Sequence, residues 1–137
     1  MHEWALAEAV ISTALKAAEK ERVRKITEIA VSLGELQRID KTIFESLLKN
    51  LMTMHQERFQ DAAIRIETVK AVLKCRNCEH EWPFGQALVN LSEREAESIH
   101  VIPELAHACV TCPRCASVDF EITQGRGVWL ESITGVQ

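Results

Sequence analysis

The chain has 137 residues, of which 47% are hydrophobic and 26% are charged, and its formal net charge is −4. These values are typical of a globular protein with one modest core, and the acidic balance argues against a protein whose main role is to bind nucleic-acid phosphates. No apolar run approaches the roughly 20 residues of a membrane-spanning helix, and residues 1–20 carry too many charges for a signal peptide. We therefore expect a cytoplasmic protein that binds neither membranes nor nucleic acids.

The N-terminal half alternates between helical and strand-like patterns. Apolar residues recur at helical spacing over residues 4–20, which predicts an amphipathic helix, and they alternate with a period of two over residues 29–33, which predicts a half-buried strand. Asp40 is the predicted N-cap of a second helix with an apolar face in residues 43–52, and residues 64–67 predict a second strand. This order predicts an α+β fold in which two helices pack on one face of a small sheet.

The C-terminal half consists of short segments interrupted by cysteine, proline and glycine. Ser92 begins a capping-box pattern, which predicts a short helix over residues 93–102. Strand-like runs follow at residues 119–123 and 128–133, on either side of a glycine-containing turn. We interpret the cysteine-bearing segment as an insertion, after which the last strand returns to the N-terminal sheet.

Two Cys-x-x-Cys pairs, Cys75 with Cys78 and Cys112 with Cys115, are the strongest chemical signal in the sequence. Each such turn presents two thiolates to one ion, and two turns complete the four-sulfur shell that Zn²⁺ prefers. The 33 residues between the pairs exceed the roughly 15–20 of a compact zinc ribbon, which leaves room for an inserted helix. Zinc is redox-inert, so we expect a structural site. Iron on the same sulfurs and free or redox-active thiols are the alternatives.

A fifth cysteine makes the second pair ambiguous, because Cys109 and Cys112 are also separated by two residues. Pro113 is typical of zinc-binding turns, and a strand-like run begins soon after Cys115. Both features favour Cys112 and Cys115 as the pair. We therefore expect Cys109 to be a small apolar residue rather than a ligand.

The first three residues, Met1-His2-Glu3, form a possible metal chelate. A free α-amine, the backbone amide of His2 and its imidazole can form adjacent chelate rings around one ion. The amide of Glu3 can supply a fourth nitrogen, with its carboxylate close enough to assist. Four nitrogens in a plane suit Ni²⁺ or Cu²⁺ and not tetrahedral Zn²⁺. Taken alone the pattern is weak, because a histidine at position 2 also occurs by chance and an exposed, frayed terminus is the more ordinary explanation.

Three features in combination resemble the HypA family, the nickel metallochaperones of [NiFe]-hydrogenase maturation. They are the starting Met1-His2-Glu3, the strand ending in Leu33-Gly34-Glu35-Leu36, and the paired Cys-x-x-Cys turns. The resemblance covers essentially the whole chain, and the long segment between the pairs, with Glu95–Glu104 and His100, looks like the archaeal-type members. The family pattern has glycine directly after the last cysteine, where this chain has Ala116.

The resemblance implies a nickel-binding domain of two helices on a three-stranded sheet, formed by residues 1–70 and 119–137. A zinc-ribbon-like domain, residues 71–118, is inserted before the last strand. The protein would not be an enzyme. Its implied partners are the GTPase HypB and the [NiFe]-hydrogenase large-subunit precursor.

The resemblance also implies the metal ligands. Ni²⁺ is the transient cargo and would be held by Met1, His2 and Glu3, with His100 as a candidate for a further ligand. Zn²⁺ is the structural ion, and its implied ligands are Cys75, Cys78, Cys112 and Cys115. We expect the other histidines, His55, His80 and His107, to be surface residues.

Two other functions are compatible with paired Cys-x-x-Cys turns. A zinc-ribbon nucleic-acid-binding protein needs a basic patch near the turns, but Arg76 and Arg114 are balanced by nearby carboxylates and residues 93–104 are acidic. A thiol oxidoreductase needs a strand–turn–helix context, which neither cysteine pair has. The sequence therefore favours the metal carrier over both.

Overall fold

The chain forms two compact units, each built on a three-stranded sheet. The computed structural model describes residues 2–137, with side chains described from Glu3 onwards. The first unit takes in the chain up to Leu33, together with Ile39–Glu67 and Val128–Gln137. The second unit comprises Gly34–Arg38 and Thr68–Gly127.

The first unit contains two long helices and one sheet. Its elements are α1 (His2–Lys20), β1 (Lys25–Gly34), α2 (Lys41–Thr53), β2 (Phe59–Val69) and β6 (Val128–Val136). The strand order is β2-β1-β6, and β1 pairs with β6 in an antiparallel manner. The last strand of the chain therefore returns to the N-terminal strand.

One hydrophobic core joins the helices to the sheet of the first unit. Helix α1 contributes residues spaced three and four apart, because that spacing places side chains on one face of a helix. Strand β1 contributes Ile29, Val31 and Leu33, because alternate side chains of a strand point to the same face of the sheet. Asp40 caps α2, since its side chain accepts a hydrogen bond from the Ile43 N–H at 3.0 Å. The most deeply buried members are Ala7, Ala14, Ala18, Ile26, Ile29, Phe44 and Leu48.

The second unit has short elements around a separate core. In chain order its strands and helices are β3 (Val72–Cys75), β4 (Glu81–Pro83), α3 (Phe84–Leu88), α4 (Glu93–Val101), α5 (Ala106–Cys109) and β5 (Phe120–Gln124). The sheet order is β4-β3-β5, and both pairings are antiparallel. The predicted capping box at Ser92 is present at the start of α4. The core includes Leu36, Leu73, Trp82, Phe84, Ile99 and Phe120.

The α+β fold class, with two helices on a small sheet and an inserted zinc-ribbon-like unit, is confirmed. The two units differ in extent from the predicted domains 1–70 plus 119–137 and 71–118. Residues up to Gly127 lie in the second unit because β5 pairs with β3, and the segment Gly34–Arg38 also lies there. The division into nickel-binding and zinc-binding domains stays a prediction. Among the helices of residues 2–137, none has the length and apolar character to cross a bilayer.

Candidate metal centre

The first cysteine turn follows directly from the end of β3. Cys75 is the last residue of that strand, and its Sγ accepts hydrogen bonds from the N–H groups of Asn77 and Cys78 at 3.3 and 3.4 Å. The turn closes where the Glu79 N–H donates to the Cys75 carbonyl at 3.0 Å. Glu79 adopts a left-handed backbone with φ of 64°. Two backbone N–H groups therefore point at the sulfur that this turn presents.

The second cysteine turn repeats the first one. The Cys112 Sγ accepts a hydrogen bond from the Arg114 N–H at 3.4 Å, and the Ala116 N–H donates to the Cys112 carbonyl at 2.8 Å. Ala116 has the same left-handed φ of 64° as the residue after the first pair. The two turns are therefore geometrically equivalent, although alanine adopts this backbone less readily than glycine does.

The two turns bring together the four cysteines predicted as zinc ligands. Their sulfur atoms all lie within 4.8 Å of one another, with Cys75 and Cys115 3.5 Å apart and Cys78 and Cys112 3.6 Å apart. These spacings exceed the ~2.05 Å of a disulfide and are close to the ~3.8 Å between sulfurs around tetrahedral zinc. The donor set therefore fits a tetrahedral ion with thiolate ligands, while the role of these cysteines as zinc ligands stays a prediction.

The four cysteines are not electrostatically equivalent. The Asn77 side-chain N–H donates to the Cys115 Sγ at 3.5 Å, and together with the Ser117 backbone N–H it lowers the pKa of Cys115 to about 6. At Cys78 the His80 backbone N–H favours the thiolate, but burial and the neighbouring sulfurs raise the pKa of that thiol to about 11. A metal therefore displaces a proton more readily at Cys115 than at Cys78. The contribution of Asn77 is not evident from the sequence, where its only signal is its place inside the first pair.

Cys109 lies at the end of α5, apart from the four clustered sulfurs. Its Sγ donates to the Leu105 carbonyl at 3.6 Å, and burial, together with the charge of Glu95, raises the pKa of this thiol. The cluster contains Cys112 with Cys115, and not Cys109 with Cys112. The structure therefore groups the cysteines as the sequence analysis paired them.

Two histidines expected at the surface pack against aromatic residues of the second core. His80 stacks on Trp82 with ring centroids 5.9 Å apart, and His107 stacks on Phe120 at 4.3 Å. The Nδ1 atom of His107 also lies 3.0 Å from the Val118 carbonyl. Both side chains, like His55, are half-buried. All three side chains therefore keep exposed surface, and the rings of His80 and His107 also cover large aromatic residues of the core.

His100, the candidate for a further nickel ligand, lies on α4 in the second unit. Its Nδ1 atom is 3.3 Å from the Leu36 carbonyl, so a proton on Nδ1 would satisfy that oxygen. Leu36 belongs to the segment Gly34–Arg38, which the Glu35 carboxylate ties to the unit by accepting the Ala71 N–H at 2.6 Å. The contact of His100 with Leu36 therefore lies within the second unit.

The N-terminal chelate falls largely outside the part of the chain that the structure describes. Met1 and the side chain of His2 are not among the described residues. Glu3 is described and lies in the first turn of α1. The nickel site at Met1, His2 and Glu3 therefore stays a prediction.

Comparison with known proteins identifies the family. The family model described as "Hydrogenase/urease nickel incorporation, metallochaperone, hypA" matches residues 1–135. The chain belongs to the HypA family. The match spans the N-terminal triplet, both cysteine turns and the two units, and the family is one of metallochaperones rather than of catalytic enzymes.

Relatives and solved structures agree with this assignment. The chain is 46% identical to the hydrogenase maturation factor HypA of Pyrococcus abyssi over 133 residues, which is 97% of this chain and 94% of the relative. It is 45% identical, with the same coverage, to the HypA of Pyrococcus horikoshii. The solution structure of the Ni metallochaperone HypA from Helicobacter pylori is 22% identical, with a TM-score of 0.63 over 98% of this chain and 97% of that one. At 22% identity this similarity supports the fold of the chain and not its role.

Proposed function

We propose that this HypA protein is a nickel carrier that binds Ni²⁺ at Met1-His2-Glu3 and delivers it to the [NiFe]-hydrogenase large-subunit precursor. The observation that carries the proposal is the family match over residues 1–135, because it includes the starting triplet and both cysteine pairs. The names of the relatives, hydrogenase maturation factors, support the same role. We further propose that the protein works in the cytoplasm with the GTPase HypB.

The chemistry of the terminus suits a carrier. The α-amine, the His2 imidazole and the first two amides are nitrogen donors at chelate spacing, and a planar nitrogen set favours Ni²⁺ or Cu²⁺. Because α1 begins at His2, coordination by an amide of its first turn breaks none of the helix's own i→i−4 hydrogen bonds. An open site at a chain end also lets the cargo leave, which a carrier requires.

Zinc would have a different role. Cys75, Cys78, Cys112 and Cys115 would hold it, since their sulfur spacings fit a tetrahedral ion. A bound zinc would supply a four-way cross-link and no chemistry of its own. Because this closed set of thiolates offers no open position, we expect the zinc to stay when nickel is taken up or released.

Metal analysis of the untagged protein tests the two sites together. We expect one zinc per chain before nickel is added, no iron, and one further equivalent of Ni²⁺ after equilibrium dialysis. His2→Ala, and separately one extra residue placed before Met1, should abolish nickel uptake without changing the zinc content. Nickel uptake at wild-type affinity in both variants would rule out the N-terminal site. In that case a loss of uptake in His100→Ala would locate the nickel site on α4.

Partner binding tests the delivery step. Untagged protein loaded with Ni²⁺ should associate with immobilised HypB and with the large-subunit precursor, and transfer of ⁶³Ni to the precursor should be lost with His2→Ala. An extension before Met1 is the matched variant, because it removes the free amine and leaves every side chain in place. Transfer that proceeds equally with either variant would contradict the proposal.

A further inference from the structure

The sheet of the first unit has an outer face, turned away from the helices, whose residues are set by the pairing of β1 with β6. Val31 pairs with Leu130 and both contribute to the core, so the next pair, Ser32 and Trp129, lies on the outer face. The register then shifts by one residue: Val31 pairs with Leu130, but the preceding residue of β1, Ala30, pairs with Ser132. This bulge leaves Glu131 as an extra residue.

The bulge changes which side chains of β6 reach the outer face. Strict alternation would place only one of Glu131 and Ser132 there, whereas a bulge can place both on the same side. The Ser32 hydroxyl donates to the Glu131 carboxylate at 2.8 Å, which confirms the outward direction of Glu131. Beyond the bulge Ile133 packs against the core.

These residues form an open trough of about 350 Å³ across the three strands. Its floor is formed by Ala30 and Ser32, two small buried residues of the central strand β1. The longer side chains of Arg65 and Glu67 on β2 line one side. Glu131 and Ser132 on β6 form the other side. A volume of about 350 Å³ accommodates a single long side chain, whereas a helix with its side chains is ~10 Å across.

The charge of the trough is mainly negative. Carboxylates at Glu67 and Glu131 line it, and Glu28 lies on the same face, where it is 3.8 Å from the guanidinium of Arg65. Among the lining residues carboxylates exceed bases by one, and counting Glu28 as well they exceed bases by two. Trp129, a residue that is 64% exposed, adds aromatic surface beside Ser32. A cationic side chain with an apolar stem matches this combination.

We propose that this trough is a docking surface for an extended, arginine-bearing segment of a partner protein. An arginine stem would lie over Ala30 and Ser32, and its guanidinium would pair with Glu131 or Glu67, because a carboxylate accepts two parallel N–H bonds from arginine. The inference rests on the proposed carrier role only in that a carrier must contact another protein. It concerns a different surface from the N-terminal nickel site.

A peptide titration followed by NMR tests the surface. The probe is acetyl-Arg-Gly-Arg-Gly-Arg-amide added to the ¹⁵N-labelled, zinc-loaded protein in 50 mM NaCl. We expect saturable amide shifts confined to the outer face, around Ser32, Glu67 and Glu131. Glu131→Gln should weaken binding about fivefold, because it removes one charge and keeps an acceptor for the Ser32 hydroxyl. Raising NaCl to 500 mM should also weaken it, since salt screens exposed charges.

Two controls decide the outcome. Glu45→Gln removes the same charge from α2, on the helical side of the unit, and should leave peptide affinity unchanged. The same peptide with citrulline in place of arginine should give no shifts. Shifts spread over other acidic residues, equal weakening by Glu45→Gln and Glu131→Gln, or binding of the citrulline peptide would overturn the proposal. Nickel uptake is measured separately on the wild-type protein, so a failure of the carrier role is distinguished from a failure of this surface.

Discussion

At the scale of single residues, the second cysteine turn carries a local strain. Ala116 has φ of 64°, a left-handed backbone in which an alanine Cβ crowds the following carbonyl. Glycine adopts this conformation without that penalty, although it loses more backbone entropy on folding. At this position the chain has alanine where the family pattern has glycine. Its backbone nevertheless has the same φ as Glu79, the residue after the first cysteine pair.

We predict that Ala116→Gly stabilises the zinc-loaded second unit by about 0.5–1 kcal/mol, because the relief of left-handed strain exceeds the entropy that glycine loses. Thermal unfolding followed by NMR signals of that unit measures the change. Ala108→Gly is the matched control, since Ala108 is exposed on α5 and glycine is destabilising in a helix. The same sign for the two variants would contradict the strain argument.

At the scale of elements, the segment between β1 and α2 packs within the second unit. Leu36 is buried in that core, and the Gly34 N–H donates to the Gly127 carbonyl at 2.8 Å. A Cβ placed on Gly34 would lie 2.4 Å from the Gly125 carbonyl oxygen, which is backbone and cannot rotate away. Glycine is therefore required here by the close approach of two backbones.

Gly34→Ala should destabilise the second unit by about 1–3 kcal/mol, the usual effect of overpacking against a rigid neighbour. Gly85→Ala offers the comparison, because Gly85 lies in α3 and its Cβ would meet only the Glu35 carboxylate, at 4.0 Å. That variant should be neutral or stabilising by up to about 1 kcal/mol. Denaturant unfolding of both variants measures the difference, and equal effects would show that the close approach is unimportant.

The first cysteine turn lies between β3 and β4, and the second precedes β5. A metal bound by both turns would therefore hold the three strands of the second unit together. Cys112→Ala should abolish zinc binding and unfold this unit while the first unit stays folded, since structural zinc contributes roughly 10–16 kcal/mol to small domains. Cys109→Ala should keep both zinc and fold. Zinc content and ¹⁵N spectra of the two variants give the result. Equal damage from Cys109→Ala would mean that the ligand set is wrong.

At the scale of the whole molecule, the two metals should respond differently to pH. An α-amine titrates at about 7.7–8.0 and an imidazole near about 6.5, and both bind a metal only as free bases. Nickel affinity should therefore fall as pH is lowered from ~8 to ~6, by about tenfold per unit for each proton displaced. Cu²⁺ should bind more tightly than Ni²⁺ at each pH, following the Irving–Williams order.

Isothermal titration of the untagged protein at several pH values measures this dependence, with zinc content followed in the same samples. Zinc should remain bound over the range in which nickel is lost. A nickel affinity that does not change between pH 8 and pH 6 would argue against ligands that must lose protons.

The sequence by itself determined the features that depend on local pattern. Helical periodicity, the Asp40 and Ser92 caps and the spacing of the cysteine pairs are properties of neighbouring residues, so α1, α2, α4 and both turns could be predicted. The α+β class followed from their order. The HypA resemblance came from short motifs, and the family match confirmed it.

Only the tertiary structure decided the features that depend on residues far apart in the chain. The pairing of β5 with β3 places residues 119–127 in the second unit, and a strand's local pattern does not specify its partner. The stacking of His80 and His107, the influence of Asn77 on Cys115 and the outer trough at Glu131 arise in the same way. Each of these features depends on two or more segments that are brought together by long-range packing. Local sequence preference does not determine that packing.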